Sequence, residues 1–365
     1  MFEPQPFATT PEAERALREH VPASDLRFGA NSAPVMFSAA YEGGAWQRGE
    51  LLPFGPVPVL PNARSIQFAE SVFEGMKALR RRPALPHLFR PELNARRFAA
   101  SAARIGMPAV PEALFLQGVA AVASACADLV PEAEGAFLYL RPVLFSTEPG
   151  YTVGNSDSFR FIVTASPSAA YARGAMRVRI EREDVRAARH GIGAAKAAAN
   201  YAAAMRATSR AQAEGFDIAL WLDPLQRRCI EELSGMNLFA VIEGELHTPA
   251  LSDSILSGVT RASVIELARS DGRRVVEREI PIDTLLEAIT EGRCTELMAT
   301  GTAAIIAPVC ELGDADGRRY PLPQEQVTLG LRQRLLDIQM RRGPDPFGWT
   351  SDVATHGTAG CGAAS

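Results

Sequence analysis

Residues 191–205 read GIGAAKAAANYAAAM, and the side chain that stands out among them is Lys196. Of the 38 Lys and Arg residues in the chain only Lys77 and Lys196 are lysine, so arginine carries almost every positive charge. A guanidinium stays protonated and is no nucleophile, whereas an amine that is desolvated or set beside another cation can attack a carbonyl. A lysine kept at 196 therefore suggests amine chemistry. Lys77 sits in a charged, helix-like run, FEGMKALRRR, whereas Lys196 is flanked only by Gly and Ala. Small neighbours let a flat, bulky ligand come close. The competing reading is a lysine on the exposed face of an Ala-rich helix, and this stretch alone does not separate the two.

Composition narrows the field. A chain of 365 residues, 47% hydrophobic and 22% charged, is an ordinary globular sequence long enough for two domains. Net charge is −4 and the pI about 5.9, with no five-residue run of Lys and Arg, so nucleic acid is not an expected partner. The start, MFEPQPFATTPEAE, has acids and prolines where a secretory leader needs a basic start and an apolar run. The most apolar stretch, 113–127, is interrupted by Gln117 and Gly118 and is too short to cross a bilayer. These features read as a soluble, cytoplasmic protein with no membrane partner. Five widely spaced cysteines, Cys126, Cys229, Cys294, Cys310 and Cys361, include no C-x-x-C pair and argue against a disulfide framework or a structural zinc, so no metal is expected.

Taken in order, residues 1–30 carry prolines and charges without periodicity and read as an arm over the body. From Asn31, extended pieces such as APVMFSAAYEGG alternate with Gly and Pro, as in hairpins. Apolar residues at Phe68, Val72, Phe73, Met76 and Leu79 have near-helical spacing and predict a helix over 68–82. LFR then reads as a short strand, Pro91 to Gly106 as a helix with a proline start and a glycine stop, and 111–130 as another helix. FLYLRPVLFS and FRFIVTASP read as strands. SAAYARGA at 168–175 reads as a linker. Beyond it come the strand MRVRIERED, the Ala-rich helix ending at Gly215, and antiparallel strands from FDIALWLD to ELHTP. A helix follows in SGVTRASVIELARSDG, another in PIDTLLEAITEG, a strand–loop–strand in CTELMATGTAAIIAPVCEL, and a last helix in VTLGLRQRLLDIQ. The expected organisation is an arm at 1–30, a small α/β domain at 31–167, the linker, a large domain at 176–350 and a disordered tail at 351–365.

Several of these runs together resemble the branched-chain amino acid aminotransferases, pyridoxal-phosphate enzymes of fold type IV. They are SVFEGMKA (71–78), LFRPELNARR (88–97), LYLRPVLF (138–145), KAAANYAA (196–203), WLDPLQRRCIEELSGMNLF (221–239), ILSGVTRASVIELA (255–268), GTAAIIAPV (301–309) and PDPFGW (344–349). Eight motifs in the family's order are a specific signal where one would be weak. The resemblance implies an α/β (α+β) fold with a small α/β domain and a larger domain built on a β-barrel-like core. It also implies pyridoxal 5'-phosphate as cofactor, and homodimers or higher homo-oligomers in which each subunit helps close its neighbour's site.

By that resemblance Lys196 matches the Schiff-base lysine, which also carries the proton between Cα and the cofactor. Glu232 matches the carboxylate that keeps the pyridine nitrogen protonated; its structural alternative is an exposed strand charge, the reading given to Glu231 beside it. Tyr201 matches the tyrosine that hydrogen-bonds the cofactor phenolate, although its position alone would read as helix core. Arg90, the backbone at Val259 and Thr260, and Thr302 correspond to the phosphate cup, in keeping with the free N–H groups of a helix start and the bidentate reach of arginine. Phe68, Phe73, Tyr139, Arg141, Thr302 and Ala303 correspond to the substrate pocket. Phe68 and Phe73 could equally be helix core. Such a pocket gains about 1–3 kcal/mol per methylene, so leucine, isoleucine and valine should all be taken. Arg141 and Tyr139 are the candidates for the distal carboxylate of 2-oxoglutarate or glutamate.

Two features depart from the family pattern. Ala198 and Ala199 stand where glycine is usual, which would strain the backbone if either needed positive φ. Ala304 and Ala307 stand where some animal members carry paired cysteines, so no thiol switch is expected there. The rival readings are a D-amino acid aminotransferase or an aminodeoxychorismate lyase of the same fold, a non-catalytic relative, and a lyase that uses Lys196 without a cofactor.

Overall fold

The structure is a computed structural model and describes residues 6–81, 83–170 and 174–353. The chain divides into two compact units. The first is formed by the described residues up to 170, by Ala195–Ala198 and by residues 338–353; the second by residues 174–194 and by Ala199–Asp337.

The first unit is a ten-stranded sheet with helices on it. Its strands are β1 (Ala8–Thr9), β2 (Val35–Glu42), β3 (Ala45–Trp46), β4 (Glu50–Pro53), β5 (Ser71–Phe73), β6 (Met76–Leu79), β7 (His87–Phe89), β8 (Phe137–Ser146) and β9 (Phe159–Ser168). The order is β1-β4-β2-β9-β8-β6-β7 with a last strand, Thr350–Asp352, on β7; β3 hangs on β2 and β5 on β8. The helices are α1 (Pro11–Glu19), α2 (Arg64–Gln67), α3 (Pro91–Arg104) and α4 (Glu112–Ala125). Proline opens α1 and α3 at the first turn, where its missing N–H is no loss. Gly106 ends the α3 turn with φ +77°. Phe98 of α3, Phe115 of α4 and Phe161 of β9 meet with ring centroids 5.3–6.0 Å apart and are fully buried, which seats both helices on the sheet.

The helix expected over 68–82 is not there. The segment runs as β5 and β6 along β8 in one unbroken register, Ser71 facing Phe145 and Ala78 facing Leu138. The interruption at Glu74–Gly75 lies beside Pro142, which has no N–H to give the ladder. Every residue of β6 is buried, so its apolar positions show no strand alternation and mimic helical spacing. Lys77 is itself buried, with Nζ 4.2 Å from the Phe137 ring centroid.

The second unit is built on a closed barrel. Its strands are β10 (Met176–Glu181), β11 (Ile218–Leu222), β12 (Ile230–Leu233), β13 (Met236–Ile242), β14 (Glu245–Pro249), β15 (Val275–Arg278), β16 (Cys294–Gly301), β17 (Ile305–Gly313) and β18 (Arg319–Pro321). The order β12-β11-β10-β17-β16-β13 closes on itself through β12–β13, giving six strands with no free edge around the ring. Its helices are α5 (Ala198–Ala213), α6 (Val259–Ser270), α7 (Ile282–Thr290) and α8 (Gln326–Gln339). α5 is the crossover between the parallel pair β10 and β11, and its Ala207 packs on Ala219 and the buried Trp221 of β11.

Of the expected arm, residues 1–5 lie outside the described residues, and 6–30 hold more regular structure than a run without periodicity implies: β1 pairs in parallel with β4, and Thr10 Oγ1 caps α1 by accepting from Ala13 N at 3.2 Å. The tail expected from 351 is ordered at its start, since Ser351 and Asp352 pair with Leu88 and His87 of β7. Tyr171–Arg173 of the expected linker and Ala354–Ser365 of the tail lie outside the described residues.

Candidate active site

The first unit fixes Lys196 from two sides of the sequence. Phe73 N of β5 donates to Lys196 O at 3.1 Å, Val72 bridges Ala197, and Lys196 N donates to Ser101 Oγ of α3 at 2.9 Å. Lys196 Nζ lies 4.9 Å from the centroid of the Phe73 ring, and Arg141 Cζ is 4.7 Å from the same centroid. Arg141 Nη2 also donates to Tyr139 Oη at 2.8 Å. An aromatic face attracts cations, so Phe73 and Tyr139 hold Arg141 in place as a ready partner for an anionic group. Phe73 thus lies on a strand beside Lys196 and not in the core of a helix. Phe68, at the end of α2, is 41% exposed.

Beneath the cluster lies a buried charge that reading the sequence missed. Glu74 is wholly buried; Arg97 Nε donates to its Oε1 at 2.6 Å, and Arg97 Nη2, Asn94 Nδ2 and Gly75 N donate to its Oε2 at 2.8, 2.8 and 3.1 Å. Burial alone would raise the Glu74 carboxyl. The charge and hydrogen bonds of Arg97, the charge of Lys196 and the Asn94 bond outweigh it and hold the carboxyl below its usual range. Asn94, Arg97 and Ser101 all sit on α3, so one helix anchors both Glu74 and the Lys196 backbone.

Arg90 stands at the start of that helix with left-handed backbone, φ +49°, which costs a non-glycine residue about 1–3 kcal/mol. Contacts with Trp349 help hold it there: its N donates to Trp349 O at 2.8 Å, and its guanidinium lies 4.7 Å from the Trp349 ring centroid. The PDPFGW motif therefore acts on Arg90.

In the second unit Glu232 lies on barrel strand β12, buried to 3% exposure. Its Oε2 accepts from Leu256 N at 3.1 Å and Asn237 Nδ2 at 3.2 Å, and Arg186 Nε stands 2.9 Å from Oε1 in a close ion pair whose N–H is not aligned as a hydrogen bond. Arg186 Nη2 donates to Gly193 O at 2.9 Å and to Ser254 O. Glu231, expected as an exposed charge, is buried too: it accepts from Ser254 Oγ, and burial pushes its carboxyl up. Neighbours on a strand face opposite ways, but here chain covers both faces.

Asn237 ties Glu232 to the start of α6, since Nδ2 also donates to Leu256 O at 2.9 Å and Oδ1 would lie 2.0 Å from a Cβ on Gly258. Only glycine fits at 258. Gly258 is the N-cap of α6 and no side chain caps it, leaving the first-turn N–H groups at Val259 and Thr260 to an anion, with no acidic residue in that turn to repel one. Thr302 and Ala303 form the hairpin turn between β16 and β17, where Gly301 pairs with Ile305. Just before it the buried Thr300 hydroxyl has no hydrogen-bond partner. Tyr201 is half-buried on α5, near Asn200, whose Nδ2 donates to Ile192 O at 2.8 Å. Ala198 and Ala199 open α5 and neither has positive φ, so the strain foreseen for alanine there does not arise.

The turn is strained elsewhere. Ile305 has φ +62°, a conformation a β-branched residue rarely adopts, costing about 1–3 kcal/mol.

The family model described as "Amino-transferase class IV" matches residues 71–312. The chain is 39% identical over 338 residues to the branched-chain-amino-acid transaminase 1 of Bacillus subtilis, spanning 90% of this chain and 95% of that one. The chain belongs to the branched-chain-amino-acid aminotransferase family of class IV. To the family member of Mycobacterium tuberculosis it is 38% identical over 353 residues, 94% of each chain. Among solved structures, the branched-chain aminotransferase of Thermoproteus uzoniensis with norvaline superposes with a TM-score of 0.71 at 26% identity, over 87% of this chain and 99% of that one. A structure of the T.th. branched-chain amino acid aminotransferase complexed with N-(5'-phosphopyridoxyl)-L-glutamate gives a TM-score of 0.69 at 25% identity, over 86% and 98%. The six-stranded barrel is the fold-type-IV core of these aminotransferases.

The residues present fit a phosphorylated pyridine cofactor. A buried carboxylate ion-paired with Arg186 suits a protonated ring nitrogen, and the glycine-led start of α6 suits a phosphate ester. Arg186 and Asn237 were not read as site residues from the sequence. Asn237 lay within a matched motif, SGMN, but nothing in composition or spacing marks Arg186 among so many arginines.

Proposed function

We propose that this aminotransferase moves the amino group of L-leucine, L-isoleucine or L-valine to 2-oxoglutarate, with pyridoxal 5'-phosphate as carrier. The observation that carries the reading is Lys196, its backbone pinned by Phe73 and Ser101, with Nζ beside an arginine-bearing aromatic pair. When bound, pyridoxal phosphate supplies an aldehyde that condenses with amines and a ring that accepts the electron pair of a deprotonated carbon. Lys196 would be the residue that holds the cofactor through its amine, and the same amine, once free, would move the substrate's Cα proton. Glu232, fixed by Arg186, Asn237 and Leu256 N, keeps the proton on the ring nitrogen. Tyr201 serves the ring oxygen. Arg90, the N–H groups of Val259 and Thr260, and Thr302 hold the phosphate.

Phe73 and Tyr139, with Phe68, supply apolar surface for a branched side chain, and Arg141 pairs with the distal carboxylate of 2-oxoglutarate. Thr302 and Ala303 complete the substrate pocket. The donor leaves as a branched 2-oxo acid and the acceptor as L-glutamate, in two half-reactions at one set of residues. The reading includes a homodimer in the cytoplasm. Among the described residues no helix is long and apolar enough to cross a membrane, and Tyr151 and Val153, 82% and 86% exposed, offer apolar surface to a second copy.

The test is the visible spectrum of the purified protein. A yellow band bleached by L-leucine and restored by 2-oxoglutarate supports the reading. A band indifferent to leucine but bleached by D-alanine moves it to D-amino acids, and no band after adding pyridoxal phosphate overturns it.

A further inference from the structure

The hairpin that carries Thr302 and Ala303 is closed by a residue unsuited to its backbone. Gly301 pairs with Ile305 across a three-residue turn, and a turn of this size ordinarily ends with glycine at positive φ. Here the positive φ falls on the residue that closes the turn, Ile305, at φ +62° and buried to 4% exposure. Left to itself, a β-branched residue would relax toward extended backbone and swing the turn with it. Arg332 of α8 opposes this. Its Nη1 donates to Ala304 O at 2.6 Å and to Ile306 O at 2.7 Å, so one nitrogen grips the carbonyls on either side of Ile305. The guanidinium is half-buried, and burial lowers its pKa, yet an arginine stays charged and gives strong bonds to both carbonyls.

We propose that Arg332 is a positioning residue that clamps the strained Ile305 turn and thereby sets Thr302 and Ala303 for substrate and cofactor phosphate. The inference rests on the assignment of Thr302 and Ala303 to the site. Strain at Ile305 makes the turn a loaded element whose position depends on Arg332, whereas a glycine there would hold the same shape unaided.

The experiment compares holoenzymes carrying Arg332→Met, Arg332→Lys, Ile305→Gly, and Arg332→Met with Ile305→Gly together. Four quantities are measured: amide hydrogen exchange across 301–306, the rate of cofactor loss on dilution, KM and kcat for both substrates, and the unfolding temperature. In Arg332→Met, exchange across the turn, cofactor loss and KM should each rise about tenfold or more, with kcat less affected. Arg332→Lys, whose ammonium can still donate to both carbonyls, should retain most of the wild-type behaviour and guards against a methionine variant that does not fold. The double variant should regain wild-type KM and cofactor retention while unfolding at a lower temperature than Arg332→Met, because Ile305→Gly removes both the strain and buried apolar surface. A purely structural role would make KM follow stability, and that result overturns the proposal. Unchanged exchange across 301–306 in Arg332→Met overturns the clamp itself. Raised exchange with unchanged KM and cofactor retention overturns the assignment of Thr302 and Ala303, so the two failures are told apart.

Discussion

Tyr139 and Gly75 meet so closely that a Cβ on residue 75 would lie 2.1 Å from Tyr139 Oη. The phenol that bonds Arg141 rests on bare backbone at the break between β5 and β6. Glycine in the FEG motif is therefore a matter of room, since its φ is not positive. Gly75→Ala should push Tyr139 aside and release Arg141, raising KM for 2-oxoglutarate more than KM for leucine and costing about 1–3 kcal/mol of stability. Steady-state kinetics with both substrates checks this, and equal KM changes would count against Arg141 as the acceptor's partner.

The buried Glu74–Arg97 pair gives a pH-dependent prediction. Removing one partner, as in Glu74→Gln, should destabilise by about 3–5 kcal/mol at neutral pH. The Glu74 carboxyl is depressed in the folded state, so its contribution is fully present above its unfolded value of about 4.3 and is lost as pH falls through the lower folded value. The gap in urea stability between wild type and Glu74→Gln should then be constant from pH 7 to about 5 and shrink below about 4. A gap that persists unchanged to pH 3 would mean that the carboxylate is not what holds the pair.

Thiol reagents report on the cores. Burial pushes the thiols of Cys126 and Cys294 up to about 12, a backbone hydrogen bond of Glu296 offsetting a little of this at Cys294. Since the thiolate is the reactive form, both should resist labelling in the native protein at pH 8 and react once urea unfolds it. Mass mapping of the labelled peptides decides it; fast native labelling of either would show that it is not buried as described.

How much of this could be read from the sequence depends on how local each feature is. Lys196 was legible because its chemistry is rare in a chain that otherwise uses arginine. The helices at 91–104 and 259–270 were legible because Pro91 and Gly106, and Gly258 and Gly272, mark their ends. The run 68–82 was not, because β6 is buried on both faces and no alternation survives to mark a strand. The order at Ser351 and Asp352 comes from pairing with β7, more than 250 residues away, which no local pattern encodes. Glu231 shows the same limit, for burial by the chain around Ser254 is a tertiary fact. Arg186 and Arg332 were invisible as single arginines among many, and became meaningful only through Glu232 and Ile305.

Glu232 should matter to rate more than to occupancy. Glu232→Ala removes the buried negative charge while leaving Lys196 and the phosphate donors, so turnover should fall on the order of 10²-fold or more with cofactor content little changed. Absorbance per subunit beside kcat measures both. Near wild-type turnover would mean that the ring nitrogen has another partner.

The central claim is that Lys196 carries the cofactor, and having only two lysines makes it unusually simple to test. The purified enzyme would be reduced with borohydride, which freezes the lysine–cofactor bond, then digested and mapped by mass spectrometry. The expected result is a single phosphopyridoxyl group on the peptide containing Lys196, lost when the enzyme is treated with L-leucine before reduction. A label on Lys77 instead, or no label on a protein that turns over leucine, would contradict the assignment.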